Sequence, residues 1–115
     1  MLLFKDRPEE LQGKTVKRQT GLGNVYITVN EFEGRPVEIF VSTGKCGQSV
    51  MAKAEVIGRL CSLALRRGIE VEAIIKQLKG ISGDHPLPHG TGVILSIPDA
   101  VGQVLEELYG KRPAD

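Results

Sequence analysis

The sequence lacks tryptophan, has only two cysteines and carries almost no net charge, and each shortage excludes a class of protein. Cys46 and Cys61 cannot build a disulfide framework, and without a CxxC pair there is no sign of a zinc ribbon or a dithiol redox centre. A formal net charge of +1 creates no broad field that would attract nucleic acid or anionic lipid. Three phenylalanines and two tyrosines leave little aromatic surface for stacking bases. We therefore expect a protein of the reducing cytoplasm.

Long hydrophobic runs are also missing. The first ten residues, MLLFKDRPEE, become charged after Phe4 and lack the apolar core of a signal peptide. No stretch approaches the roughly 18 apolar residues that a membrane span needs, so no membrane partner is expected. The length of 115 residues fits one domain. We expect an N-terminal arm or linker over residues 1–13, a single domain over 14–110 and a tail over 111–115.

Apolar residues that alternate with polar ones predict an antiparallel sheet of about three strands. Lys14–Thr20 is a short strand, and the glycine-containing turn GLGN follows it. In the next two strands the apolar positions recur with the period of two that is typical of a sheet with one buried face. These positions are Val25, Ile27 and Val29 in one strand and Val37, Ile39 and Val41 in the other. The short EGRP connection between the two strands favours a hairpin.

Beyond residue 47 the apolar period becomes helical and stays helical to Arg67. This helix has an apolar stripe that we expect to face the core, while Glu55 and Arg59 are spaced for an ion pair on the other side. The stripe consists of Val50, Ala54, Ile57, Cys61 and Ala64, widened by Met51, Leu60, Leu63 and Leu65. We expect Cys61 to behave as a small buried hydrophobe.

The remaining segments complete an α+β domain. A second helix spans about Glu70–Lys79 and forms a helical pair with the first. The stretch SGDHPLPHGTG, residues 82–92, is predicted to be a loop because its prolines and glycines disfavour regular structure. A third helix is capped by Ser96, with Pro98 in its first turn and Asp99 three residues after the cap. We expect the helical pair and this C-terminal helix to pack on one face of the sheet.

The stretch TGKCGQSV between the third strand and the first helix is the main candidate for binding chemistry. The order of its residues does not match a phosphate-binding P-loop. Gly44, Lys45, Cys46 and Gly47 nevertheless precede a helix N-terminus, where free amides and the helix dipole favour an anion or nucleotide. The same position could lower the pKa of Cys46 and make its thiol reactive. The alternative is a plain turn from strand to helix.

Two further clusters have weaker patterns. Asp84, His85 and His89 offer metal-binding side chains, but Pro86 and Pro88 exclude the helix on which an HxxxH pair binds a metal most readily, and a mobile surface loop is the alternative. The basic Lys14, Lys17 and Arg18 on the first strand could approach phosphates, although alternation on an exposed strand explains them equally well. No pattern of catalytic residues is present in the sequence, so no catalytic residue is assigned.

Several segments, taken in order, resemble the TSCPD domain found at or near the C-terminus of many adenosylcobalamin-dependent (class II) ribonucleotide reductases. They cover about residues 7–108 and include GNVYITVNE, GRPVEIFVSTGKCG, AEVIGRLCSLALRRGI and ILSIPDAVGQVLEEL. The resemblance implies a non-catalytic accessory or C-terminal domain of a vitamin B12-dependent ribonucleoside-diphosphate reductase, which serves deoxyribonucleotide synthesis. Such a domain would act by contact with the reductase catalytic chain or by sensing a nucleotide. Radical chemistry and cobalamin belong to the much larger catalytic barrel, so no cofactor and no activity are expected of this chain alone.

The chain departs from this family at one set of positions. Cysteine-bearing relatives carry four cysteines where this sequence has Leu22, Ser49, Ser82 and Ile97. Without those thiolates the chain resembles the cysteine-free branch, and no metal site is expected. Cys46 matches none of the four positions. Two other functions stay open: a free-standing nucleotide- or nucleic-acid-binding module that uses Lys45–Gly47 and the basic strand, and a structural homo-oligomer whose sheet edges pair.

Overall fold

The fold was analysed in a computed structural model that describes residues 6–110. Its elements are β1 (Gln12–Thr20), β2 (Gly23–Phe32), β3 (Arg35–Thr43), α1 (Gln48–Arg66), α2 (Val71–Leu78), β4 (Leu87–His89), β5 (Gly92–Ile94) and α3 (Ile97–Tyr109). The predicted α+β class, with three antiparallel strands followed by helices and a C-terminal helix, is confirmed, but α2 packs on α3 and not, as predicted, on α1. The predicted tail, residues 111–115, and the first five residues of the predicted arm lie outside the described residues. The proposed domain boundaries stay a prediction.

The main sheet has the order β1-β2-β3, so that β1 and β3 are its edges. The turn from β2 to β3 contains only Glu33 and Gly34, whose φ angles are 52° and 78°. Two successive positive φ angles match the twist of the flanking strands, and this explains why so short a connection closes the hairpin. The three apolar positions predicted in β2, Val25, Ile27 and Val29, are fully buried.

The helices cover the apolar face of the sheet. α1 packs mainly on β3, while α3 packs on α2 and reaches across β1 and β2. The core that they enclose is one cluster, to which the helices contribute Ala54, Cys61, Leu65, Ile74, Ile75, Ile97, Ala100, Val101, Val104 and Leu105. Ser96 caps α3 by accepting a hydrogen bond from the Asp99 amide at 3.1 Å, which confirms the predicted start of this helix.

The apolar face of α1 is narrower than predicted. The central stripe is buried or partly buried, but Met51, Leu60 and Leu63 are exposed, so their assignment to the core is wrong. The physical reason is that α1 lies along the edge strand of a small sheet and, within residues 6–110, no further layer covers its outer side. A helix with apolar residues around much of its circumference does not reveal, by periodicity alone, which of them face the core.

The prediction of a continuous loop over residues 82–92 is also wrong in part. Leu87–His89 pairs antiparallel with Gly92–Ile94 in a separate two-stranded sheet. Pro88 is compatible with this arrangement because each strand of such a hairpin has one side that needs no ladder hydrogen bond. The hairpin leads directly into the N-cap of α3, and Ile94 at its end is fully buried.

Candidate functional site

A groove of about 610 Å³ runs between the edge strand and the first helix. We call it the β3–α1 groove. Its residues are Ile39, Phe40, Val41, Ser42 and Thr43 from β3, and Met51, Glu55, Gly58, Arg59, Ser62 and Arg66 from α1. Phe40 and Met51 form its exposed apolar surface. Glu55 and Arg59 are joined by an ion pair of 2.9 Å, as the sequence predicts, and both side chains are mostly exposed.

The floor of the groove is the place where α1 touches the backbone of β3. Ser62 Oγ accepts a hydrogen bond from the Ile39 amide and donates one to the Ile39 carbonyl, both at 2.9 Å. Gly58 allows the close approach, because a Cβ there would lie 3.0 Å from the Ile39 oxygen and 3.2 Å from the Val41 nitrogen. The helix therefore occupies an edge that would otherwise be open to another strand.

One end of the groove is fixed by Glu38, a fully buried carboxylate that the sequence places on the polar side of β3. Arg7 donates to it through Nε and Nη2, at 2.6 and 3.0 Å, and Arg66 donates through Nη2 at 2.5 Å. Asn30 donates a further hydrogen bond of 3.0 Å. Burial by itself raises the pKa of Glu38, but the hydrogen bonds from Arg7 and Asn30 and the two positive charges outweigh it, so the net pKa is lowered.

We expect Glu38→Gln to lower the free energy of unfolding at pH 7 by about 2 kcal/mol, since it weakens a buried ionic network whose arginines can still reach water. Because the folded pKa is below the ordinary value of 4.5, the stabilisation is complete above that pH and is lost as the pH falls through the folded pKa. Denaturant unfolding between pH 7 and pH 3 should therefore show the two proteins converging in acid.

The matched control is Glu55→Gln, which removes an exposed partner of Arg59 and should change the free energy of unfolding by less than about 0.5 kcal/mol. A loss on Glu38→Gln that is the same at pH 7 and pH 3 would show that the carboxylate charge is not the source of the stabilisation.

The predicted anion-binding residues Gly44, Lys45, Cys46 and Gly47 form the connection at the other end of the groove. Gly47 is the N-cap of α1 and supplies no side-chain hydrogen bond, and the first turn of the helix has no acidic residue. The Gly44 amide donates to the Asn24 carbonyl at 3.0 Å, and Cys46 Sγ lies 2.9 Å from Thr43 Oγ1. The geometry is that of a strand-to-helix turn, and binding of an anion here stays a prediction.

In the structure, neither of the two weaker clusters forms a single site. Arg18 lies on the core side of β1, where it donates to Glu107 and to His89 Nε2, both at 2.6 Å. Lys17, as the neighbouring residue of a strand, lies on the opposite face, so Lys14, Lys17 and Arg18 do not form one basic patch. Because a guanidinium only donates, His89 Nε2 is the acceptor of this hydrogen bond. Within residues 6–110 no three His, Cys, Asp or Glu side chains are placed to hold a metal ion.

Asp99 connects three segments on the far side of the core. It is fully buried and accepts hydrogen bonds from the amides of Gly80 and Leu95, both at 2.8 Å. Gln103 donates a third hydrogen bond from one turn later in α3, at 2.7 Å. One carboxylate therefore joins the end of α2, the end of β5 and the start of α3, and this gives the SIPD segment a structural role.

Comparison with known protein families assigns the chain to one of them. The model of the TSCPD domain matches residues 3–109, which is nearly the whole sequence. The chain belongs to the TSCPD family. No curated protein and no solved structure matches it.

Two of the four positions at which the family resemblance implies cysteine lie at a second, small cavity of about 30 Å³. Leu22 and Ile97 line it, and so does Gly83, the neighbour of Ser82. In this TSCPD domain the cavity is lined mainly by apolar side chains and backbone and offers no thiolate. Cys61 lies elsewhere, in the core, and burial raises the pKa of its thiol to about 11, as expected of an inert hydrophobe.

The outer side of α1 presents exposed apolar side chains in this TSCPD domain. Val56, Leu60 and Leu63 follow one another at helical spacing, and their exposed fractions are 53%, 61% and 54%. We call these three residues the α1 outer stripe. No helix among the described residues is long and apolar enough to cross a membrane.

Neither the β3–α1 groove nor the α1 outer stripe was predicted from the sequence. Gly58 was a usable signal, because an isolated glycine within a helical pattern often marks a close approach of backbones. Glu38 gave no signal, since a glutamate on the polar side of an amphipathic strand has the pattern of an exposed residue.

Proposed function

We propose that this TSCPD domain is a non-catalytic accessory domain of a class II ribonucleotide reductase and that it acts by contact with the catalytic chain. The observation that carries the proposal is the match of the family model to residues 3–109. TSCPD domains occur with such reductases, whose radical chemistry needs a much larger catalytic barrel. A domain of 115 residues is suited to binding and regulation rather than to that chemistry.

The α1 outer stripe supports contact with a protein. Three large apolar side chains on one helix face, each about half exposed, lose contact with water when a partner covers them. Lys53 and Arg67 lie at the two ends of the stripe and are exposed, which gives the surface a polar rim. We infer that the catalytic chain covers this surface.

The proposal is tested by measuring the turnover and allosteric regulation of a class II catalytic chain from the same organism, with and without this domain. We expect the domain to change turnover or its response to effector nucleotides. Unchanged turnover and unchanged regulation at saturating domain would defeat the proposal.

The paired substitution Leu60→Gln and Leu63→Gln should remove that effect. Both residues are exposed in the isolated domain, so the variant should keep its fold while losing about tenfold or more in affinity for the catalytic chain. The control is Val93→Gln, which removes an exposed apolar side chain from β5, away from the stripe. If the stripe variant still acts on the reductase as the unmodified domain does, the contact lies elsewhere.

Nucleotide sensing is the alternative mode of action, and its proposed residues are Gly44–Gly47 at the N-terminus of α1. The open first turn of this helix supports it. Selective shifts of the amide resonances of residues 44–50 on titration with nucleotide would favour this mode. A third alternative, a homo-oligomer, predicts a mass above that of one chain in solution.

A further inference from the structure

We propose that the β3–α1 groove binds a nucleoside polyphosphate, with the base against Phe40 and Met51 and the phosphates at Arg59 and Arg66. The inference does not rest on the reductase partner, because the groove lies within this chain and can be tested with the chain alone. Its failure would leave the proposed function standing, and the converse also holds. It assigns a site different from the Gly44–Gly47 turn.

The size and the rigid walls of the β3–α1 groove are the first argument for a small organic ligand. The groove has a volume of about 610 Å³, within the roughly 300–1,000 Å³ of pockets that bind small organic ligands. Its walls are rigid elements, because Ser62 and Gly58 hold α1 directly against the backbone of β3. The same contacts exclude a peptide strand, since Ser62 already satisfies the amide and carbonyl of Ile39 on the open side of this edge.

The apolar part of the groove fits an aromatic ring. Phe40 is 52% exposed although it lies in the middle of β3, and Met51 faces it from the first turns of α1. An aromatic face and a polarizable thioether on opposite sides of a cleft favour a flat, π-rich ligand. Ser42 lies on the same face of β3 as Phe40, and its hydroxyl can bond the polar edge of a base, whereas the Thr43 hydroxyl already contacts Cys46 Sγ at 2.9 Å.

The charged part of the groove fits phosphates. Its lining has Arg59, Arg66 and Glu55, and at its end Arg66 shares the Glu38 carboxylate with Arg7, so that these three arginines and two carboxylates carry a net charge of +1. Arg59 is paired with Glu55, and their side chains are 78% and 65% exposed, so this weak surface pair can exchange for a pair between Arg59 and a phosphate. Arg66 is held in place by Glu38, and its Nε is buried without a partner among the described residues.

The spacing of Arg59 and Arg66 determines how many phosphates a ligand needs in order to reach both side chains. Arg59 and Arg66 are seven residues apart in α1, about two helical turns on one face, which corresponds to roughly 10 Å along the axis. A single phosphate next to the base can reach only Arg59, whereas a chain of three phosphates extends toward Arg66. We therefore expect affinity to rise from nucleoside through monophosphate to triphosphate.

The test is a titration of the ¹⁵N-labelled full chain with ATP, adenosine, inorganic tripolyphosphate and a short single-stranded oligonucleotide. We expect ATP to give saturable shifts of amides in Phe40–Thr43 and Met51–Arg66. Adenosine and tripolyphosphate should each bind at least about tenfold more weakly, because each lacks one half of the contacts.

Substitutions separate the two halves of the site. Arg59→Gln should weaken ATP binding about tenfold and leave adenosine unaffected, while Phe40→Thr should weaken both ligands. The control is Arg67→Gln, which removes the exposed arginine directly after the end of the same helix and should leave binding unchanged. Both Arg59 and Phe40 are exposed, so these variants keep the contacts that hold α1 on β3.

Four results would overturn the inference. They are the absence of saturable shifts, shifts confined to residues 44–50, tripolyphosphate binding as tightly as ATP, and binding of the oligonucleotide without binding of ATP. The second would move the anion to the helix N-terminus, and the third would show that the base adds nothing.

Discussion

Replacing Asp99 with alanine should lower the free energy of unfolding by about 3 kcal/mol, the largest loss that we expect from removing one polar side chain in this domain. Two backbone amides, those of Gly80 and Leu95, and the side chain of Gln103 lose their acceptor in a site that is almost without solvent access. A buried donor that has no acceptor destabilises the folded state by the full free energy of its lost hydration. For a domain of this size the melting temperature should fall by roughly 12 °C.

Thermal and denaturant unfolding of three variants would separate the contributions to this loss. Ser96→Ala removes the cap of α3 together with the exposed hydrogen bond that Ser96 Oγ donates to the Ile81 carbonyl, and should lower the free energy of unfolding by about 1 kcal/mol. Asp99→Asn keeps one acceptor oxygen and should fall between Ser96→Ala and Asp99→Ala. If Asp99→Ala is no worse than Ser96→Ala, the carboxylate does not join the three segments as the contacts indicate.

Replacing Gly58 with valine should be destabilising by about 3 kcal/mol and should open the β3–α1 groove. A Cβ at this position already meets the Ile39 oxygen at 3.0 Å and the Val41 nitrogen at 3.2 Å, and both are backbone atoms that cannot turn aside. The two additional methyl groups of valine force α1 away from β3. The bonds between Ser62 and Ile39 should break with that movement.

The measurements are the free energy of unfolding and the hydrogen-exchange rate of the Ile39 amide, which Ser62 protects. Ala52→Val, at an exposed position of the same helix, is the matched control, and it reports the helix propensity of valine, about 0.6 kcal/mol. A Gly58→Val variant that resembles Ala52→Val in stability, with the Ile39 amide still protected, would contradict the close contact.

The elements of the fold were predictable because each has a local signal. The strict alternation of Val25, Ile27 and Val29 determines the buried face of β2, and the cap formed by Ser96 determines where α3 begins. These signals depend on residues close in sequence, where period and capping chemistry act directly. Local signals did not predict the β4–β5 hairpin, because Pro88 and the nearby glycines give this segment the composition of a loop.

The candidate site was less predictable because it depends on contacts between distant segments. The groove exists only because Gly58 meets the backbone at Ile39, nineteen positions earlier in the chain. Arg18 and Lys17 are adjacent in sequence, yet they lie on opposite sides of the sheet, and only tertiary packing shows that Arg18 is bound by Glu107. Likewise, nothing local distinguishes the exposed Leu60 and Leu63 from the buried Leu65.

The most direct test of the account is the mass of complexes in a mixture of this domain and a class II reductase catalytic chain, measured by sedimentation velocity. We predict a species heavier than the catalytic chain alone, formed by the unmodified domain and by Val93→Gln, and not by the variant with Leu60→Gln and Leu63→Gln. If the domain sediments separately from the catalytic chain at every concentration, its proposed role as an accessory domain acting by protein contact is contradicted.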